Sequence, residues 1–304
     1  MSFRPERREF LGRMGAFAGA AAVSFPGLPA FASQASDSIR IGYAAITWGG
    51  NDKQAIEDIA ELGFHGIQLR ANCIQEFQGP SQLRDLLAKH HLKFVALSSG
   101  SLSVDPAAES EEIAKHVANA RFLRDAGGLY LQVIDERPKG RGAKAEDYQR
   151  MGKLLTELGK RTADLGISLG YHNHMGALGE APEATDAILQ SADPRYAKLE
   201  LDVAHYFQAG GDPVKAIRKY HDRLLFLHIK DVEKLPGSDA KPYRFVELGR
   251  GQVDIPGIFA ALDEVKFRGW AVVELDDVTA KTRTPLDSAA INKKYLEENI
   301  KITI

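Results

Sequence analysis

From Ile39 onward, short apolar runs alternate with longer segments whose apolar residues recur at helical spacing. Residues 39–46 are apolar and extended, and residues 53–62 carry Ile56, Ile59 and Ala60 on one helical face before a stop at Gly63. The pairing then repeats. A strand over 65–69 precedes a helix over 81–90, with Leu83, Leu86 and Leu87 on one side. A third strand, 94–98, leads to a helix over 107–125 that closes at Gly127-Gly128, and a fourth, 129–134, leads to a helix over 146–165 with Gly166 as its C-terminal stop. Residues 167–170 begin a fifth strand running into Tyr171-His172-Asn173-His174, and a short helix follows over 182–191. The sixth strand is 198–203, after which Asp212-Pro213 starts a helix with a capping residue and a proline at its first position. A seventh strand over 224–229, a long loop over 231–253, a helix over 256–265, an eighth strand over 270–275 and a closing helix over 285–300 complete the pattern.

Eight strands alternating with helices, with no linker between them, predict a single α/β domain built as a (β/α)8 barrel. A doubly wound open sheet would carry a phosphate loop or dinucleotide fingerprint near its first turn, and Gly49-Gly50-Asn51 is neither. The barrel places chemistry at the C-terminal ends of its strands and in the loops beyond them.

Composition narrows the setting. The chain has 304 residues, 44% hydrophobic and 26% charged, with a formal charge of −2. The single cysteine, Cys73, excludes an intramolecular disulfide. The first 32 residues read as an address: Arg7-Arg8 precede a weakly apolar Gly/Ala-rich run, and Ala30-Phe31-Ala32 offers small residues for cleavage. This is similar to a twin-arginine export signal, with Glu6 where Ser or Thr is usual. The expectation is a signal peptide over 1–32, a catalytic barrel over 33–304, and a periplasmic or secreted location. The apolar run is too short for stable membrane insertion. Without the leader, 35 basic residues face 39 acidic ones, a charge of −4 that does not suit nucleic acid.

The polar residues that look chemical sit at strand ends. His172 and His174 end strand five, Asp202 ends strand six with His205 three residues on, His228 ends strand seven with Lys230 and Asp231 beyond, and Glu274 ends strand eight. Each of these strands otherwise reads apolar, so a carboxylate at its end must be paired, solvated or bound to a metal. The expected ligands are His172, Asp202, His228 and Glu274, with His174 as the strand-five ligand if the register lies one pleat further on. Imidazole and carboxylate together suit a divalent cation of intermediate softness, Mn²⁺ first, with Co²⁺, Zn²⁺ or Fe²⁺ as alternatives. Trp48, Tyr171 and Tyr206 are aromatics that could stack on a sugar ring.

Five motifs, Tyr171-His-Asn-His174, Leu201-Asp-Val-Ala-His205, His228-Ile-Lys-Asp231, Gly249-Arg-Gly-Gln-Val-Asp254 and Val272-Val-Glu-Leu-Asp276, resemble the sugar phosphate isomerase/epimerase superfamily with its xylose-isomerase-like TIM barrel. Ile46-Thr47-Trp48-Gly49 with Asn51-Asp52 is similar to the inosose dehydratase side of that group, which also contains ketose 3-epimerases and, more distantly, endonuclease IV. The resemblance implies metal ligands at the ends of strands five to eight and a substrate contact at His205. His172 stands where relatives often have a glutamate, Gln68 where they frequently have one, and Arg250 where an acidic residue is more usual. The strand-five difference removes one of the paired carboxylates of ketose epimerases.

Expected function follows from the site. A cation chelated by a keto-sugar acidifies the C–H beside the carbonyl and stabilises the resulting enolate. Glu274 is the first candidate base, His174 and His205 are alternatives, and Lys230 is placed to stabilise the enolate. Substrate contacts are expected from Trp48, His205, Lys230 and Arg250. The expected protein is a metal-dependent sugar or cyclitol isomerase, epimerase or lyase, leaning to dehydration or elimination, with a small-molecule partner and room for a homo-oligomer. The alternatives are a periplasmic carbohydrate-binding protein without catalysis and an AP-endonuclease-like metallonuclease, the latter opposed by the acidic charge. The segment 233–244 is read as a lid or an oligomer contact.

Overall fold

The computed structural model describes residues 39–235, 242–278, 280 and 282–304. The export signal expected over 1–32, and the middle of the segment expected as a lid, lie outside the described residues. In chain order the strands are β1 (Arg40–Ala44), β2 (Gly66–Arg70), β3 (Lys93–Leu102), β4 (Tyr130–Asp135), β5 (Ser168–His172), β6 (Ala197–Asp202), β7 (Leu224–Ile229), β8 (Asp231–Lys234), β9 (Tyr243–Val246) and β10 (Trp270–Val273). All except β8 and β9 close into one parallel barrel, with β10 between β7 and β1. The expected eight-stranded barrel is therefore present.

The helices are α1 (Asp52–Glu61), α2 (Cys73–Glu76), α3 (Pro80–Lys89), α4 (Glu109–Asp125), α5 (Ala145–Ala163), α6 (Pro182–Ser191), α7 (Val203–Gln208), α8 (Pro213–Tyr220), α9 (Ile255–Glu264) and α10 (Pro285–Tyr295). Among the described residues no helix is long and apolar enough to cross a membrane. Their starts follow local chemistry. Asp212, Asp254 and Thr284 each accept a backbone N–H from the first turn, and a proline follows each cap.

Burial separates into two layers. One apolar cluster packs the helices onto the outside of the barrel, through residues such as Ile56, Leu83, Leu155 and Ile258. A smaller one fills the interior with Ala44, Val95, Ala96, Phe226, Trp270 and Val272. Trp270 is accommodated because β2 begins with glycine: a Cβ on Gly66 would lie 2.7 Å from the indole and 2.6 Å from Val95. This plug closes the N-terminal half of the barrel and leaves the C-terminal mouth to polar side chains.

Three departures from the sequence pattern have local causes. β3 runs on to Leu102 through a register shift between Ser98 and Ser101, where Ser-Ser-Gly-Ser carries no apolar signal. The expected loop over 231–253 contains the antiparallel hairpin β8–β9, whose paired runs are only four residues each. β10 stops at Val273, two residues early, although the Glu274 N–H still donates to the Ile229 carbonyl at 3.1 Å.

Candidate metal centre

The two-residue period of β6 puts Glu200 and Asp202 on the same face. Barrel register then sets His228 beside Asp202 and His172 beside Glu200. All four side chains are buried, the two carboxylates completely. Asp202 divides its oxygens: Oδ1 caps α7, accepting from the Ala204 and His205 N–H groups at 2.8 Å each, and Oδ2 has no hydrogen-bond partner. The cap thus aims a free lone pair at the mouth.

Oδ2 of Asp202 lies 3.6 Å from His228 Nδ1, which in turn is 3.4 Å from Glu274 Oε2. Donor atoms held about 2.1 Å from one cation sit roughly 3.0–3.4 Å apart in octahedral or tetrahedral arrangements. His172, Asp202 and His228 each present a ligand atom within 4.8 Å of the others, and His172, His174 and His205 form a second such group. His172 belongs to both groups, while His174 stands half-buried at the outer edge. His228 Nδ1, like Asp202 Oδ2, is buried without a hydrogen-bond partner. A divalent cation fits these residues: it would satisfy groups that are otherwise costly to bury. Nitrogen and oxygen donors together do not select one metal.

Charge is dense around this point. Lys230, fully buried, donates to Glu274 Oε1 at 2.9 Å and to Asp276 Oδ1 at 2.5 Å, with Asp202 Oδ2 3.9 Å away. Burial works against its charge, but Glu274, Asp276 and Asp202 carry its pKa above the ordinary value, so it remains an ammonium. Burial also opposes ionisation of Glu274, and His228 and Lys230 outweigh it and hold the carboxyl below its usual range. For His228, burial lowers the pKa while Glu200 and Glu274 raise it further, leaving it well above normal in the metal-free chain. Burial pushes Glu200 up to about 7. His172 and His205 are driven down by burial and by neighbouring cations.

Next to the cluster is a cavity of about 440 Å³ lined by His174, Met175, His205, Tyr243, Phe245 and Asp276, together with Arg244 and Asp277. His174 Nδ1 lies 2.6 Å from the Met175 carbonyl, an acceptor, so that nitrogen carries a hydrogen. Phe245, from the hairpin, packs edge-on to His205 and lies under the Lys230 ammonium, 3.9 Å from the ring centre.

The structure brings together His172, Asp202, His228, Glu274, Lys230, His205 and His174. Trp48 and Arg250 have other polar partners: the Trp48 indole donates to Asp58 at 2.7 Å, and the exposed Arg250 reaches Glu247 at 3.4 Å. Tyr171 is fully buried with its hydroxyl on Asp135. Among the described residues no hydrogen bond or ion pair joins Trp48 or Arg250 to the cluster. Glu200, Phe245 and Tyr243 were not anticipated. Glu200 carried a signal, since it lies two residues before Asp202 in the same strand and must share its face.

Residues 56–299 match the family described as xylose isomerase-like TIM barrel. Curated relatives include an inosose dehydratase from Lacticaseibacillus casei, 26% identical over 87% of this chain and 98% of that protein. Another is the rhizopine catabolism protein MocC from Rhizobium meliloti, 27% identical over 82% and 85%. Among solved structures, the IOLI protein with a binding zinc atom superposes with a TM-score of 0.72 at 19% identity, covering 85% of this chain and 97% of that one. The probable 3-DHS dehydratase AsbF from Bacillus anthracis gives 0.69 at 15% identity, covering 86% and 100%. The parallel barrel, the residues converging at its C-terminal mouth and the extent of the family match lead to one assignment: the chain belongs to the xylose isomerase-like TIM barrel family.

Proposed function

We propose that this protein is a divalent-metal-dependent enzyme that removes water or a glycosyl group from a keto-sugar or keto-cyclitol through an enolate. The observation that carries the reading is the pair of fully buried, unpartnered donor atoms, Asp202 Oδ2 and His228 Nδ1, with His172 and Glu274 beside them at the mouth of the barrel. The inosose dehydratase relatives support a cyclitol or sugar substrate and loss of water. His172, Asp202, His228 and Glu274 would hold the cation, Mn²⁺ ahead of Co²⁺, Zn²⁺ and Fe²⁺. When bound, it supplies Lewis acidity that polarises a substrate carbonyl and acidifies the adjacent C–H.

The chain's own groups then divide the work. His174, which lines the cavity with Nδ1 on the Met175 carbonyl, takes the proton from carbon through Nε2, and the C–H electron pair becomes the enolate. Lys230 stays charged and donates to the developing oxyanion; Glu274 and Asp276 hold the ammonium in place. As the enolate collapses, the bond to the β-oxygen breaks and the proton held on His174 passes to the leaving oxygen. His205 and the faces of Tyr243 and Phe245 contact the sugar and exclude water around it. The leader over 1–32 delivers the protein outside the cytoplasm by twin-arginine export; replacing Arg7 and Arg8 with lysine should retain it in the cytoplasm on fractionation.

The test is solvent exchange. Mature protein loaded with Mn²⁺, Co²⁺ or Zn²⁺ is incubated in D₂O with ketoses, 3-keto-glycosides and inososes, and substrate C–H signals are followed by NMR. Metal-dependent loss of the α-proton signal with formation of an unsaturated product is expected. No exchange with any substrate under any metal refutes the proposal.

A further inference from the structure

We propose that Glu200 is the positioning residue of the metal centre: its carboxylate spans His228 Nε2 and His172 Nδ1 and so fixes which ring nitrogen of each imidazole faces the cation. The inference rests on the metal-binding reading above and deepens it.

Glu200 is completely buried in β6, one strand position below the mouth. Its Oε1 lies 2.6 Å from His228 Nε2, and its Oε2 lies 3.6 Å from His172 Nδ1. Among the described residues neither oxygen has a hydrogen-bond partner, and these two imidazole nitrogens are the basic groups the carboxylate faces. A carboxylate kept in such a place is unfavourable to the fold unless something needs it there.

Hydrogen-bond chemistry supplies the need. His228 Nε2 faces only acceptors, Glu200 Oε1 and the Gln68 amide oxygen at 2.9 Å, so it carries the hydrogen. Glu200 Oε1 is the nearer of the two acceptors. With Nε2 turned to Glu200 and Gln68, it is Nδ1 of His228, facing Asp202 Oδ2 and Glu274 Oε2, that a cation would take as ligand in place of its proton. At His172 the acceptor on the Nδ1 side is Glu200 Oε2 at 3.6 Å, which assigns the hydrogen to Nδ1 and leaves Nε2 as the atom that would meet a cation. One carboxylate thus sets the tautomer and ring orientation of two ligands from neighbouring strands and makes both more basic. The strand register that places Glu200 between β5 and β7 allows this double contact.

Two measurements test it. In Zn²⁺-loaded protein with ¹⁵N-labelled histidine, two-bond ¹H–¹⁵N correlation should show Nε2–H at His228 and Nδ1–H at His172. The opposite tautomer at either residue, or no Zn²⁺ binding, overturns the proposal. Glu200→Gln keeps the side chain's shape while removing its charge, and chelator competition should show Zn²⁺ and Co²⁺ affinity reduced about 10–100-fold with an altered Co²⁺ absorption band. Affinity within threefold of the parent protein overturns the proposal. The tautomer measurement stands alone should Glu200→Gln not fold. Correct tautomers in a metal-binding protein that exchanges no substrate proton refute only the proposed reaction, whereas reversed tautomers in an active enzyme refute only the role of Glu200.

Discussion

Lys230→Met is the perturbation that reads the electrostatics of the mouth most directly. The side chain keeps its length and apolar stem and loses the ammonium that Glu274, Asp276 and Asp202 share. Glu274 and Asp202 are buried, so removing the ammonium leaves His228 to compensate both, and breaking a buried pair costs about 3–5 kcal/mol. Asp276 is 31% exposed and adds little. The expected loss in metal-free protein is therefore about 4 kcal/mol, read as a fall in urea midpoint at constant m-value. A bound divalent cation takes over the compensation of Asp202 and Glu274, and at 100-fold excess over its Kd also contributes about 2.7 kcal/mol by mass action. The variant should thus recover stability on metal addition by more than the parent does. Its kcat should fall about 10²–10³-fold through loss of a preorganised oxyanion donor. A metal-free loss below about 1 kcal/mol, or a loss that metal leaves unchanged, refutes the charge accounting.

Three further outcomes follow from the same kind of reasoning. Chelation of the loaded protein should lower its Tm, and His228→Ala should abolish that response; equal Tm shifts in the two proteins would count against His228 as a ligand. His116 is fully buried between Ser99 Oγ at 2.6 Å and the Ser101 carbonyl at 3.0 Å, and burial lowers its pKa to about 4. Between pH 6.5 and about 4 the unfolded chain binds the extra proton, so stability should decline by about 1.4 kcal/mol per pH unit on acidification. His116→Gln should flatten that part of the pH–stability curve, and an unchanged slope would refute the assignment. Asp231→Asn should cost about 3–5 kcal/mol by urea unfolding. The carboxylate accepts Val232 and Val253 N–H groups on Oδ1 and those of Gly249 and Gly251 on Oδ2, and an amide nitrogen cannot accept the second pair. A cost below about 1 kcal/mol would show that the loop does not depend on this bracket.

Much of the fold was legible because its signals are local. The strand over 224–229 and the helix over 182–191 have apolar periods and stops readable in a short window, and the structure forms both at those bounds. Elements whose stability comes from elsewhere were not legible. The hairpin β8–β9 is short and partly polar, and its buried residues, Val232 and Val246, gain their environment from the barrel rim. The extension of β3 through Ser98 to Ser101 is likewise held by pairing with β4 rather than by any run of its own.

The candidate site divides along the same line. Strand-end residues such as Asp202, His228 and Glu274 stand out because a polar residue interrupts an apolar run just where a barrel strand reaches its mouth. Glu200 escaped because it sits within the run, where an isolated carboxylate reads as a position that ought to face solvent. The inside of a parallel barrel reverses that expectation, provided a neighbouring strand supplies compensation. Here compensation comes from His228 on β7 and His172 on β5, and His228 is also met by Gln68 from β2, 160 residues away in the chain. β2 and β7 are not neighbours in the sheet, so their side chains meet only across the closed interior. Barrel closure, rather than any spacing within a strand, therefore makes Glu200 part of a metal site. Its role becomes visible once the inward rows of β2, β5, β6 and β7 are considered together.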